Sequence, residues 1–191
     1  DTLVVQCVSR LAAEKNLELV ARAFASIRDA GIDARLVFVG DGPLRAELER
    51  LCPQAHFAGL RKGDDLAAHY ASADLFLFPS LTETFGNVTT EAMASGLPVV
   101  AFDLAAARQW IADGHNGVLA QQQSRESFVR AALSIGSDRA HRAALGTAAR
   151  ATAEGIDWNS VVARFESIVT QAVDCHLPPV AAPAPPAAFA A

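Results

Sequence analysis

Two cations near the start of the chain flank the predicted beginning of a helix, where they could bind an anion. Arg10 and Lys15 belong to the stretch Ser9–Asn16, which follows an apolar run and leads into a helical pattern. Two cations beside the free amides of a helix start would suit a diphosphate. The alternative is that both are solvated side chains, since exposed Lys and Arg are common.

A second loop could supply backbone amides to the same anion. Gly86 stands where the helix after a Leu-Phe-Leu-Phe run should begin. The amides of Gly86, Asn87 and Val88 would then point free N–H groups into a cleft, as an anion site requires.

Two glutamates flank that helix start, and their carboxylates could recognise hydroxyl groups. Glu83 lies in the loop before Gly86, where it could meet whatever is attached beyond the phosphates. Glu91 lies one turn along the helix, where it could accept hydrogen bonds from both hydroxyls of a ribose. The alternatives are a favourable charge near a helix N-terminus for Glu83, worth about 0.3–1 kcal/mol, and a solvated face for Glu91. Because a charge in so apolar a helix needs a partner or a cleft, we favour the binding roles.

Two further loops are less specific. Gly40 and Gly42 permit a tight turn and the close approach of a ligand, with a plain turn as the alternative. The loop Gly59–Gly63, which contains Arg61, could skirt a base. The three cysteines share no metal-type spacing, and the chain has no Asp-x-Asp pair.

Short apolar runs alternate with helical patterns between these loops. Strands are predicted at Leu3–Val8, Arg35–Val39, Ala55–Ala58, Leu75–Phe78, Pro98–Phe102 and Val118–Ala120. Helices are predicted at Lys15–Ala30, Pro43–Leu51, Asp64–Ala73, Asn87–Ser95 and Ala105–Ala112, and then, without intervening strands, at Ser124–Gly136, Asp138–Ala153 and Trp158–Val173.

This alternation predicts an α/β fold, a Rossmann-like doubly wound parallel sheet of about six strands with helices on both faces. Apolar runs without a period of two fit strands that are buried on both sides. Ligands of such sheets bind outside the carboxyl ends of the strands. The loops described above all follow predicted strands, so they should share one edge of the sheet.

Composition and charge narrow the class of protein. Of the 191 residues, 51% are hydrophobic and 19% are charged, which favours a folded domain. A net charge of −5 argues against a nucleic-acid binder, which needs a basic face. Sparse cysteines favour a reducing, cytoplasmic compartment, and no apolar run approaches the roughly 20 residues that span a bilayer.

The ends of the chain suggest its domain organisation. Residues 1–174 are predicted to form one domain, which includes the C-terminal helices, and residues 175–191 a disordered tail rich in Pro and Ala. The chain opens directly on a core strand, so we expect a fragment that was cut at a domain boundary. The alanine-rich composition hints at a GC-rich bacterial source.

Several motifs follow one another in a fixed order between Leu3 and Val173. They are Ser-Arg-Leu-x-x-Glu-Lys-Asn, Val-Gly-Asp-Gly-Pro, Ala-Asp-Leu-Phe-Leu-Phe-Pro-Ser, Glu-x7-Glu from Glu83 to Glu91, Glu-Ala-Met-Ala-Ser-Gly-Leu-Pro-Val-Val-Ala and Asp-Gly-His-Asn-Gly. The ordered set resembles the C-terminal, nucleotide-sugar-binding domain of retaining glycosyltransferase family four, whose members have the GT-B fold. The sequence departs from that family where Ala105–Ala107 replaces a glycine pair.

The resemblance implies a role for each site residue. Arg10 and Lys15 would bind the diphosphate of the donor and steady the leaving group, and Glu83 would contact the donor sugar. Backbone amides of Phe85, Gly86, Asn87 and Val88 would face the sugar and the phosphates, Glu91 would hold the ribose, and the backbone of Arg61 would lie near the base. Gly40 is grouped with these donor-binding residues. The family uses such groups in place of a metal, so no metal cofactor is expected.

The resemblance also implies the reaction. A hexose would pass from a nucleoside-diphosphate sugar, UDP- or GDP-linked, to an acceptor hydroxyl, in bacterial envelope glycan or glycolipid synthesis. The acceptor site of the family lies mostly on an N-terminal domain, which could contact the inner face of the membrane. This chain alone would then bind a nucleotide and transfer nothing. The alternatives are a GT-B relative such as a sugar-nucleotide epimerase, or a non-catalytic nucleotide-binding module.

Overall fold

The computed structural model describes residues 2–176. The chain divides into two compact units, Asp1–Gly155 and Ile156–Ala191. The first unit contains the whole sheet of the described residues and all the candidate site residues. The predicted tail lies outside the described residues, except that its first two residues close the last helix.

Six parallel strands form the sheet. They are β1 (Leu3–Val8), β2 (Ala34–Val39), β3 (His56–Gly59), β4 (Leu75–Phe78), β5 (Val99–Phe102) and β6 (Val118–Ala120). The strand order is β3-β2-β1-β4-β5-β6, so β1 pairs with β2 on one side and with β4 on the other. The order reverses between β1 and β4, and a crevice therefore opens where these two strands end.

Helices cover both faces of the sheet. They are α1 (Leu17–Asp29), α2 (Arg45–Leu51), α3 (Gly63–Ala71), α4 (Asn87–Ala94), α5 (Ala105–Trp110), α6 (Arg125–Ser137) and α7 (Arg139–Glu154). Residues of α1, α2 and α6 enter the core on one face, and residues of α3, α4 and α5 enter the core on the other. The predicted α/β doubly wound architecture is confirmed.

The two faces explain the unbroken apolar run of β4. Leu75 and Leu77 pack into the core on the α1 side, whereas Phe76 and Phe78 pack into the core on the α4 side. All four are buried. Burying a side chain of this size contributes about 1.5–3 kcal/mol. Because helices cover both faces of β4, every position of the strand is buried and is occupied by an apolar residue.

The structure corrects one predicted helix boundary near the site. The pattern predicts a single helix from Lys15 to Ala30, but a 3-10 turn at Ala13–Lys15 precedes α1, and the two are separated by Asn16. Asn16 has φ 54° and ψ 42°, the left-handed conformation that asparagine tolerates. Lys15 therefore lies in the loop and not on the helix.

The second unit contributes one further helix, α8 (Trp158–His176). Its first turn is capped by Asp157, whose side chain accepts hydrogen bonds from the amide and the hydroxyl of Ser160. Val162, Phe165 and Val169 form an exposed apolar stripe along it. No helix within residues 2–176 has the length and apolar content of a membrane span.

We expect the buried thiol of Cys7 to make stability fall with alkaline pH. Cys7 is 1% exposed, and burial raises its pKa to about 12 despite opposing effects of Ser9 and Lys15. A raised pKa means that the folded state holds the proton longer than the unfolded state. The stabilisation is complete below pH 8 and declines by about 1.4 kcal/mol per pH unit above pH 9.

Urea unfolding between pH 8 and pH 10.5, with a reductant present, measures this decline. Cys7→Ala should be less stable than the parent chain at pH 8, because it leaves a small cavity, but its free energy of unfolding should fall less steeply with pH. Equal slopes for the two chains would show that the thiol does not titrate on unfolding.

Candidate functional site

The loops after β1 and β2 are packed so closely that side chains are excluded between them. A Cβ atom on Gly40 would lie 1.9 Å from the carbonyl oxygen of Ser9, and one on Gly42 would lie 2.5 Å from that of Leu11. Backbone hydrogen bonds join the same segments, from the Leu11 amide to Asp41 (2.9 Å) and from the Leu44 amide to Leu11 (2.9 Å). The second loop thus supports the loop that carries Arg10.

The loop after β1 is also tied to the loop after β4. The amide of Leu81 donates a hydrogen bond of 2.9 Å to the carbonyl of Glu14. The hydroxyl of Ser80, a residue only 3% exposed, approaches the same oxygen at 3.4 Å. This junction brings Lys15 next to residues about seventy positions further along the chain.

Lys15 and Glu83 form an ion pair in the crevice. The ammonium Nζ contacts Oε1 of Glu83, and their side chains are 17% and 13% exposed. The same ammonium lies over the ring of Phe78, 5.7 Å from its centroid. Low exposure makes the charge on Lys15 more effective than a charge in open water. The predicted cation and the predicted carboxylate therefore meet, and each neutralises the other.

Arg10 is paired as well, but at the surface. Its Nη2 contacts Oε1 of Glu14, with side chains 68% and 32% exposed. The backbone amide of Glu14 and then the guanidinium of Arg10 hold the pKa of this carboxyl below its usual range. Pairs this exposed contribute little to stability, so Arg10 can exchange Glu14 for another anion at small cost.

The α4 helix opens toward the same crevice. Gly86 is its N-cap, with φ 92° and ψ 51°, and no side chain of the described residues caps it. The amides of the first turn therefore stay available to an anion. The carbonyl of Phe85 accepts a hydrogen bond of 2.8 Å from the amide of Ala106, which fixes the helix start against the first turn of α5.

These groups line a cleft of about 570 Å³. Its walls include seven of the predicted site residues, namely Arg10, Lys15, Glu83, Phe85, Gly86, Asn87 and Val88. The cleft also has Ser9, Glu14 and Phe78 in its walls. The structure therefore brings together the two cations, the first glutamate and the start of α4.

Three predicted site residues lie outside this cleft. Gly40 packs against Ser9. The Arg61 side chain donates to the carbonyl of Ala58 (2.9 Å) and pairs with Asp65 (3.0 Å), beyond the end of β3. Glu91 lies one turn into α4, where its Oε2 accepts a hydrogen bond of 2.9 Å from the hydroxyl of Tyr70.

Sequence reasoning did not single out three residues that organise this region. Glu14 pairs with Arg10, Phe78 lies under Lys15, and Tyr70 holds Glu91. Of these three, only Glu14 could have been identified from the sequence, because it lies four residues from Arg10 and carries the opposite charge. Among residues 2–176, no three His, Cys, Asp or Glu side chains come close enough to hold a metal ion.

Known glycosyltransferases resemble this chain in sequence. Residues 2–138 match the family described as glycosyl transferases group 1. A sulfoquinovosyl transferase from Arabidopsis thaliana is 38% identical over 165 residues, which cover 84% of this chain and 32% of that protein. A GDP-mannose-dependent alpha-mannosyltransferase from Mycolicibacterium smegmatis is 37% identical over 170 residues, which cover 87% of this chain and 44% of that protein.

The fold is shared with solved structures. The Anabaena protein HepE, solved in complex with UDP and glucose, superposes with a TM-score of 0.76 at 24% identity, over 89% of this chain and 48% of that one. The chain thus spans about a third of the first relative and less than half of the other two proteins. The predicted Rossmann-like fold is confirmed, and the fold is similar to that of the Anabaena protein.

Proposed function

This chain belongs to the glycosyl transferases group 1 family, and from that premise we propose that it binds the donor in a retaining hexosyl transfer. The donor is a nucleoside-diphosphate sugar, and its diphosphate lies in the cleft between the ends of β1 and β4. One observation carries the proposal: Arg10, Lys15 and the uncapped start of α4 converge on a single cleft. Two cations beside free helix amides form an anion site.

Donor binding exchanges carboxylates for phosphates. In the free chain Lys15 is paired with Glu83 and Arg10 with Glu14. A phosphate that binds either cation therefore takes the place of a carboxylate. Once a phosphate takes Lys15, the Glu83 carboxylate is released beside the cleft. It then accepts hydrogen bonds from the hydroxyls of the donor sugar.

The cations act mainly when the glycosidic bond breaks. Negative charge then grows on the leaving diphosphate. Cations and amides whose positions are fixed before the reaction stabilise this charge more in the transition state than in the ground state. The amides of Phe85, Gly86, Asn87 and Val88 face the sugar and phosphates. Further along the nucleotide, Glu91 binds the ribose hydroxyls, and the backbone of Arg61 lies near the base. No metal is needed in this scheme.

The acceptor is a hydroxyl on a lipid or polysaccharide precursor, and it is bound mainly by a domain beyond this chain. Two findings support this division between a donor-binding and an acceptor-binding domain. The chain spans less than half the length of the two relatives described above, and its cleft is lined by the cations and the helix start that would bind the diphosphate of the sugar donor. Through that second domain the enzyme contacts the inner face of a membrane from the cytoplasm. A donor-binding domain of this kind has no transfer activity by itself.

Thermal unfolding with nucleotides tests the proposal. UDP is a candidate because a protein of this fold was solved with it, and GDP because a relative is named for GDP-mannose. A ligand at a hundred times its Kd stabilises the folded state by about 2.7 kcal/mol, or roughly 5–10 °C in Tm for a chain of this size. We expect such a rise with UDP or GDP, and with the corresponding sugar.

ADP serves as a third nucleotide, and Lys15→Met as a variant that should show a smaller shift than the parent chain. Inorganic pyrophosphate tests whether the diphosphate alone is recognised. If the folded chain kept its Tm with each nucleoside diphosphate at millimolar concentration, it would not be a donor-binding domain.

A further inference from the structure

The hydroxyl of Tyr70 holds one of the two glutamates of the Glu-x7-Glu pair. It donates a hydrogen bond of 2.9 Å to Oε2 of Glu91, from α3 to α4. Tyr70 is 3% exposed, whereas Glu91 is an exposed residue. A buried group thus fixes the end of a side chain that would otherwise move freely in water.

Tyr70 itself is held rigidly by aromatic packing. Its ring lies 5.8 Å from that of Phe76, which in turn stacks on Phe78 at 6.0 Å. Phe76 is fully buried, and Phe78 carries Lys15 on its face. The same row of rings therefore supports Glu91 at one end and the Lys15–Glu83 pair at the other.

The phenol stays a hydrogen-bond donor at any pH the protein meets. Burial raises the pKa of Tyr70, and the charge on Glu91 raises it further. The bond occupies one of roughly four lone-pair positions on the carboxylate. Glu91 can therefore accept two more hydrogen bonds while Tyr70 holds it in place.

We propose that Tyr70 is a positioning residue for ribose recognition: its hydroxyl holds the Glu91 carboxylate in the orientation that accepts the 2′- and 3′-hydroxyls of the donor nucleotide. This inference rests on the proposed function, in which Glu91 binds the ribose. A carboxylate fixed before binding loses less side-chain freedom when the ribose arrives. The gain applies only to ligands that carry those hydroxyls.

The test compares a nucleoside diphosphate with its 2′-deoxy form, on the full 191-residue chain. UDP and dUDP, or GDP and dGDP, are titrated by calorimetry, and the ratio of the two Kd values is the readout. Tyr70→Phe keeps the ring and removes the hydroxyl. We expect it to lower the preference for the ribonucleotide by about three- to tenfold, with no change in the affinity for inorganic pyrophosphate.

Two further variants separate positioning from general damage. Glu91→Ala should abolish the ribose preference, and adding Tyr70→Phe to it should have no further effect on the ratio. Phe128 is fully buried on the other face of the sheet. Phe128→Leu should therefore lower the stability of the chain and leave the ratio of the two Kd values unchanged.

The outcomes distinguish two failures. If Tyr70→Phe kept the Kd ratio of the parent chain while Glu91→Ala lost the preference for the ribonucleotide, the role of Tyr70 would be wrong and the proposed function would stand. A parental ratio in Glu91→Ala would remove the premise, because Glu91 would then not bind the ribose. Loss of pyrophosphate binding in Tyr70→Phe would also overturn the inference, since a positioning role at the ribose cannot act on phosphate.

Discussion

Replacing Lys15 with methionine is expected to lower kcat for sugar transfer by roughly 10²–10³-fold, the loss typical of removing one preorganised group that stabilises charge in a transition state. The reason is the position of the ammonium, at 17% side-chain exposure and between Glu83 and the ring of Phe78. Charge there is poorly screened by water. Methionine keeps an unbranched apolar stem and removes the ammonium that lies over the ring, so the loss reports the charged group.

The effect on binding should be smaller than the effect on turnover. The nucleoside diphosphate carries its charge before and after the reaction, but the charge on the leaving oxygen grows only as the bond breaks. Kinetics in a transfer-competent protein that contains this chain should therefore show kcat falling more than the Kd of the nucleotide rises. For Arg10→Gln we expect a weaker effect on both, because that side chain is 68% exposed.

Lys62 provides the matched control, since it is the other lysine of the chain and is exposed before α3. Lys62→Met removes the same charge and should leave kcat within about twofold, as expected for a surface charge away from the chemistry. The proposed role of Lys15 would be wrong if Lys15→Met kept its turnover. A variant that lost only donor binding, with kcat unchanged, would make Lys15 a binding residue without a part in catalysis.

The location of the candidate site could be predicted because a parallel sheet imposes it. Alternating strands and helices place every strand-to-helix loop at one edge, and the reversal of strand order selects the loops after β1 and β4. Lys15 and Glu83 are 68 positions apart, yet both follow strands that are neighbours in the sheet. Their meeting follows from the pairing of β1 with β4, which suits the doubly wound architecture that the alternation of strands and helices predicted.

The partners of these residues could not be predicted, because they depend on packing across elements. Nothing local links Tyr70 to Glu91, which lie on different helices, and nothing local places the Phe78 ring under Lys15. The backbone at Asn16 is similar: helical spacing continues through it, while its left-handed conformation separates Lys15 from α1. Patterns of apolar residues describe faces and do not describe the contacts between them.

Gly40 illustrates the same limit, and the role that the structure indicates can be tested separately from ligand binding. Gly40→Ala is expected to lower the free energy of unfolding by about 3–5 kcal/mol, as the sum of backbone strain and overpacking. The residue has φ 129°, which disfavours any side chain, and a Cβ would lie 1.9 Å from the Ser9 carbonyl oxygen. Since that oxygen belongs to the backbone, it cannot rotate away.

Gly31→Ala separates the two causes. Gly31 also has a positive φ, of 81°, but a Cβ there would meet no atom within 4 Å. Only strain remains, and the expected loss is about 1–2 kcal/mol. Urea unfolding of the three chains measures both losses, and nucleotide titration at low urea measures binding. If Gly40 served ligand approach alone, its alanine variant would keep the stability of the parent chain and lose only the nucleotide. We expect instead that Gly40→Ala loses stability even without nucleotide, because its Cβ collides with the Ser9 carbonyl in the loop that also carries Arg10.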